Sequence, residues 1–348
     1  MVSKFIKLFW RKIYLLLFIL LIMMIFCYKF YINLWHKELN ININGYILEI
    51  YPKQNFTAVL TQLNQDLVLS EINKNILYVL AKICKYDRKI QAGEYLITPH
   101  TTVMKLMDQL ITGKVLLHKF TIVEGLRFDQ ILGSLQAHPS IQKTLINDNC
   151  EDVLAAINRT AIKSCEGLLL ADTYLFAKNT KDIEILQEAY DAMQNKLNSL
   201  WHNSNINQIS KSLKSSYEAL ILASIIEKET ALNIEMPKVS GVYHRRLQLG
   251  MLLQADPTII YGLRIFDRPL KISDLKSKSN YNTYLNKGLP PTPITTPSVA
   301  AIFAALNPDY EDNSLYFVAD GYGGHVFSES LAEHNKAVVA FRSNKNKK

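Results

Sequence analysis

The chain has 348 residues, 49% of them hydrophobic and 20% charged, with a formal net charge of +8. That length holds two domains at about 100–200 residues each, and the composition excludes a disordered polymer. The positive balance favours an anionic partner, but cations gather at the two ends (Lys4, Lys7, Arg11 and Lys12; Arg342, Lys345, Lys347 and Lys348), and the absence of a basic stripe interleaved with aromatics argues against nucleic acid.

Residues 13–28 carry no charge, and the apolar character resumes after Lys29 as far as Trp35. At ~1.5 Å per residue the uncharged run alone falls short of a ~30 Å hydrocarbon core, but running on to Trp35 with Lys29 snorkelling makes it long enough. A cleaved signal peptide needs a small-x-small site, which Lys29-Phe30-Tyr31-Ile32-Asn33 does not offer. A lipoprotein needs a small residue before its cysteine, and Phe26 precedes Cys27. The expectation is an uncleaved single span over residues 13–35, with the cationic residues 1–12 held in the cytoplasm and the rest of the chain outside. Of the other cysteines, Cys150 and Cys165 flank one short segment and are able to pair in an oxidising compartment, while Cys84 is left over. No CxxC or HExxH spacing occurs, so neither a metal nor a cofactor is expected.

Beyond the span, residues 46–51 read as a strand, 55–64 and 75–84 as helices, 93–98 as a strand and 101–110 as an amphipathic helix. The pattern recurs as a strand over 115–123 and a helix over 127–135, with turn signals at Gly45, Gly93, Gly113 and Gly125. This is a compact α+β module. A polar stretch over 138–163 then reads as a separator. Helices follow at 182–200, 217–230 and 239–249, with a loop at 203–207. The remainder is rich in Pro, Gly, Asn and Tyr, the composition of loops that line a cleft and equally of plain connections.

The helix over 217–230 carries the chemistry. Ser215 with Glu218 three residues on is a capping-box signature, and the body is apolar on nearly every face before it ends in Glu227-Lys228-Glu229. At ~100° per residue, Glu227 and Glu229 lie about 200° apart and cannot share a face. Glu229 follows Ile226, Ile225 and Leu222, the more apolar stripe, whereas Glu227 follows Ser224 and Ala223. Burial and the negative end of the helix dipole both raise the pKa of Glu229 and keep a proton available for general-acid work. A Glu-Lys-Glu run is also how an ordinary solvated helix end is written.

Several segments together resemble the endolytic murein transglycosylase (YceG-like) family: residues 223–230, 242–247 and 251–262, Tyr281-Asn282-Thr283-Tyr284, Gly288-Leu289-Pro290-Pro291, 316–321 with Gly324-His325, and His334-Asn335. Upstream, Val123-Glu124-Gly125, Glu166-Gly167 and Asp172-Thr173-Tyr174 stand in the same order. The resemblance spans roughly residues 45–340 and implies an α+β architecture: the transmembrane helix, a small LysM-like module over 42–120, and a mixed α/β catalytic domain over 121–342. It implies Glu229 as the catalytic residue, with Gln254, Asp256, Asn282, Tyr284, His325 and Asn335 binding sugar. The implied activity is cleavage of the bond between N-acetylmuramic acid and N-acetylglucosamine in nascent peptidoglycan, leaving 1,6-anhydro ends and ending strand growth. The implied setting is the bacterial inner membrane, with the catalytic domain periplasmic and peptidoglycan synthases as neighbours. A muramidase-type hydrolase and a non-catalytic wall-binding scaffold are the alternatives. Thr292 and Ser298 stand where the family has glycines; if those glycines need positive φ, this loop takes another shape.

Overall fold

The computed structural model describes residues 2–147 and 149–345; Met1, Asp148 and the last three residues, including Lys347 and Lys348 of the basic tail, lie outside it. The chain divides into a unit over residues 1–118 and a unit over residues 119–348.

The first unit begins with α1 (Val2–Trp35), whose stretch Phe9–Trp35 has a mean hydropathy of 2.5 and is long and apolar enough to cross a membrane. Its end is not followed by a free linker. Leu34 and Trp35 are buried, and the next residues join the module by backbone bonds, Leu39 N–H to the Thr101 carbonyl (2.9 Å) and Val103 N–H to that of Lys37 (3.1 Å). Strand β1 (Tyr46–Ile50) pairs antiparallel with β2 (Gly93–Ile97), with Leu48 opposite Tyr95. Between the strands run α2 (Phe56–Gln65), capped by Asn55, and α3 (Glu71–Ile83), capped by Ser70. The Ser70 cap starts α3 four residues earlier than its apolar periodicity suggests, because the first turn, Glu71 to Lys74, has a single apolar residue, Ile72, and that one is exposed. After β2 comes α4 (Val103–Thr112), closed by Gly113 in the left-handed region (φ 67°). Leu48, Val59, Leu60, Leu63, Leu77, Tyr95, Leu106 and Leu110 form the core of this unit. Truncating one of them, Leu106→Ala for example, costs about 2–5 kcal/mol.

The second unit takes shape around one helix. Strand β3 (Leu117–Thr121) leads into α5 (Phe128–Ala137), β4 (Ile141–Gln142) and α6 (Cys150–Ala156). Next come β5 (Thr173–Ala177), which pairs with β3, and β6 (Thr180–Lys181), which lies parallel to β4. The expected separator at 138–163 is therefore part of this fold. Its sparse apolar residues, Ile141, Val153, Leu154 and Ile157, enter the core, and Cys150 is disulfide-bonded to Cys165. Helix α7 (Asp182–His202) is followed by the short α8 (Ile206–Ile209), where the sequence suggested only a loop. Helix α9 (Ser216–Glu229) is buried from Ala219 through Ile226 and packs against α7, α10 (Met236–Gln248), α11 (Asp256–Leu263) and α12 (Val299–Leu306). The hairpin of β7 (Tyr316–Ala319) and β8 (His325–Ser328), with α13 (Leu331–Lys345) against it, completes the unit.

Candidate active site

Helix α9 sets the geometry. Ser215 Oγ accepts from Glu218 N–H (3.2 Å), while the Glu218 carboxylate reaches one residue further back than the capping-box pattern, to Lys214 N–H (2.6 Å). Ser224 Oγ sits inside the protein and takes Ile294 N–H (3.0 Å), tying the Pro-rich loop to the middle of the helix. In the last turn the two carboxylates part. The Glu227 carboxylate accepts from both Ser298 N–H (2.9 Å) and Ser298 Oγ–H (2.6 Å), at the start of α12. Ser298 has φ −68° and caps α12, so the loop runs here without a left-handed residue, and Glu227 is spent on holding it.

Glu229 points into a cavity of about 660 Å³. Its Oε1 accepts from Tyr243 Oη–H (2.7 Å), and Tyr243 is itself buried on α10. The carboxyl is packed in protein, with only an edge open to the cavity. Burial pushes its pKa up to about 7. The Tyr243 hydrogen bond works against that rise, the negative charge of Asp256 adds to it, and Arg246 opposes it from behind. Arg246 is one turn along α10 from Tyr243 and almost wholly buried. Its guanidinium donates to the carbonyls of Leu315 (2.7 Å) and Leu253 (2.8 Å) and lies 5.2 Å over the Tyr316 ring. A cation fixed on other partners, with no bond to the carboxyl, lowers the Glu229 pKa only in part.

Of the residues expected from the sequence to bind sugar, Gln254, Asp256, Tyr284 and His325 line the same cavity as Glu229. Tyr284 Oη–H donates to Asp256 (2.7 Å), and Gln254 holds a positive φ of 51° at the turn leading into α11. Asn282 does not line the cavity. It is fully buried, with its amide donating to the carbonyls of Leu275 (3.0 Å) and Ser277 (2.8 Å) and its oxygen accepting from Tyr284 N–H, so it shapes the loop that presents Tyr284. Asn335 is exposed and outside the cavity, whereas its neighbour His334 lines it, stacked on Tyr316 at 5.3 Å. Behind His325, Glu235 accepts from His325 N–H (3.0 Å), lies 2.7 Å from His325 Nδ1 and takes a weaker bond from Thr230 Oγ1 (3.4 Å). Thr230 follows Glu229, so this one carboxylate joins the end of α9 to the start of β8.

Sequence reasoning has Tyr243, Arg246, Tyr316 and His334 only as members of motifs, with no role assigned, and passes over Glu235. The signal for the first two was present: Tyr243 and Arg246 stand at i and i+3 of one helix and therefore share a face. Glu166, of the Glu166-Gly167 motif, is a buried group with a structural task. Its carboxyl accepts from Phe128 N–H at the start of α5 (2.9 Å) and from Tyr261 Oη–H (3.2 Å). Gly167 (φ 73°) is required where it stands, since a Cβ there would come within 2.6 Å of Pro293. Among the described residues no cluster of His, Cys, Asp and Glu has the spacing of a metal site.

A cavity with a carboxyl of raised pKa in its wall and hydrogen-bonding side chains around it is the kind of site that takes a polar substrate. The YceG-like family model matches residues 48–340, and the chain belongs to that family. A Bacillus subtilis (strain 168) protein named endolytic murein transglycosylase is 31% identical over 274 residues, 74% of this chain and 75% of its own length. A Streptococcus pneumoniae (strain R6) protein of the same name is 29% identical over 283 residues, and the match takes in only 50% of that longer chain. A crystal structure of a yceG-like protein from Listeria monocytogenes is similar in fold, with a TM-score of 0.53 at 26% identity, covering 85% of this chain and 99% of that one.

Proposed function

We propose that this chain is an endolytic peptidoglycan lytic transglycosylase in which Glu229 acts first as acid and then as base. The supporting observation is the Glu229 carboxyl itself, held by Tyr243 in the cavity wall with a pKa raised to about 7. Because Tyr243 donates to Oε1, that oxygen is the acceptor and the acid proton resides on Oε2. Protonated Glu229 gives this proton to the glycosidic oxygen as the C1–O bond of N-acetylmuramic acid breaks and C1 becomes oxocarbenium-like. The carboxylate left behind takes the proton of the C6 hydroxyl as O6 bonds to C1. The products are a 1,6-anhydromuramoyl end and a free N-acetylglucosamine end, Glu229 is protonated again, and no water is consumed. Gln254, Asp256, Tyr284, His325 and His334 are positioned to meet the sugars on either side.

A muramidase-type hydrolase is the second reading, and the observation favouring it is Asp256, a second carboxylate in the same cavity. Digestion of purified glycan strands separates the two. Transglycosylation yields anhydro ends, hydrolysis yields ends heavier by one water, and Glu229→Gln abolishes the anhydro product. Anhydro ends formed by Glu229→Gln at the wild-type rate refute the assignment.

In this reading α1 tethers the enzyme to the membrane with residues 1–12 cytoplasmic, so that cutting falls on nascent strands beside their synthases. The β1-α2-α3-β2 module, LysM-like in its order of elements, holds the glycan. Release of the enzyme from its anchor without change in strand length distribution refutes the tethering role.

A further inference from the structure

The turn after α3 lies at the end of α1. Tyr86 meets Trp35 edge to face, with ring centroids 6.1 Å apart, and Trp35 meets Tyr31 in the same way at 5.8 Å. Arg11 and Lys12 fix the near edge of the apolar run. A ~30 Å hydrocarbon layer entered at Ile13 is therefore crossed after about 20 residues, near Ile32. Trp35 stands one turn further on, at the level of the lipid headgroups, where tryptophan and tyrosine gather. Tyr86 is carried to that level with it, and so are its neighbours.

Those neighbours are cationic and exposed: Lys82, Lys85, Arg88 and Lys89, with Lys37 just past the end of α1. The acids in the same region are already engaged, Asp87 with Lys82 (2.8 Å) and Glu38 with His100 (3.0 Å). Lys89 Nζ lies 6.0 Å over the Tyr86 ring, and Lys85 and Arg88 have no carboxylate partner among the described residues. Between these cations Ile83 is 71% exposed. Residues 82–89 lie about 50 residues beyond the span in sequence, too far to count in setting its orientation. The fold, not membrane insertion, brings them back to the span's exit.

We propose that residues 82–89, together with Lys37, form a collar that binds the anionic phospholipid headgroups of the leaflet from which α1 emerges, with Ile83 entering the interface. The charge pattern complements such a surface, and an exposed isoleucine among lysines is the composition of an interfacial anchor. The inference rests on α1 being a membrane span and is independent of the catalytic assignment. It places the first module against the bilayer at two points.

The test uses the full chain with Cys27→Ser and Cys84→Ser, a bimane label on Ile83→Cys, and nanodiscs carrying lipid spin-labelled at the headgroup. Quenching is expected in phosphatidylglycerol discs. It should fall by about twofold or more with the triple change Lys85→Glu, Arg88→Glu and Lys89→Glu, or when salt shortens the Debye length from ~8 to ~3 Å. Equal quenching in discs of phosphatidylcholine alone, or quenching indifferent to charge reversal and salt, overturns anionic recognition. A label left unquenched while the chain resists carbonate extraction refutes the collar and leaves the span standing; release by carbonate refutes both.

Discussion

The acid role proposed for Glu229 carries a cost to the fold, and that cost is measurable. Its carboxyl pKa rises from 4.5 to about 7 on folding, so the folded state holds the proton more tightly than the unfolded chain. Where pH lies between those values, the unfolded state has released protons that the folded state keeps, and stability falls as pH rises. The contribution is greatest near and below pH 4.5 and is gone above about pH 7. A shift of this size is worth about 3 kcal/mol across the window, an upper bound because the cavity admits water. Glu229→Gln replaces the carboxyl with a neutral amide of similar shape, so its effect on the folded state has no matching pH dependence. The variant should gain stability relative to wild type by roughly 2–3 kcal/mol on going from pH 5 to pH 8. Denaturant unfolding followed by Trp201, in a Trp10→Phe and Trp35→Phe background, reports on the second unit without interference from the other two tryptophans of the chain. A difference between variant and wild type that stays constant from pH 5 to pH 8 refutes the raised pKa and, with it, the reason for assigning Glu229 the acid role.

Three further outcomes follow from the same geometry. The alkaline limb of kcat/KM on glycan strands should fall near pH 7, and Tyr243→Phe should move it upward while lowering kcat roughly tenfold, since the lost hydrogen bond both favours the carboxylate and aims it. Asp256→Asn should move the limb the other way by removing the charge that raises the Glu229 pKa, and a pH–rate series with both variants checks the two signs. Glu227→Ala should leave the limb in place but lower unfolding stability by about 1–3 kcal/mol, because Ser298 loses the acceptor of two of its donors.

The legible part of this protein was what depends on local periodicity. Helix α9 announced itself by its Ser215 cap and unbroken apolar body, and the opposed directions of Glu227 and Glu229 followed from helical geometry before any partner was known. The small first unit was read nearly element by element, since its helices are short, capped and amphipathic. The segment over 138–163 reads as a separator because its apolar residues, scattered among polar ones, carry no period; Ile141, Val153, Leu154 and Ile157 enter the core beside a two-strand parallel pairing and a disulfide that bring distant residues together. The cavity rim was legible as motifs but not as directions. Asn282 and Tyr284 sit two apart in a turn, and only the fold shows the first facing the loop's own carbonyls and the second facing the cavity. His334 and Asn335 divide in the same way on α13, where adjacent residues point about 100° apart.

The close of α9 imposes a constraint of phase rather than of composition. Ser224, Glu227 and Glu229 each meet a different partner, the backbone of Ile294, Ser298 at the start of α12, and Tyr243, from positions fixed by the helical turn. Gaining or losing a single residue between Ser224 and Glu229 would rotate the end of the helix by about 100° and present Lys228 or Thr230 to the cavity instead of the acid. Variation across this segment is therefore expected to accumulate as substitutions, while its length stays invariant.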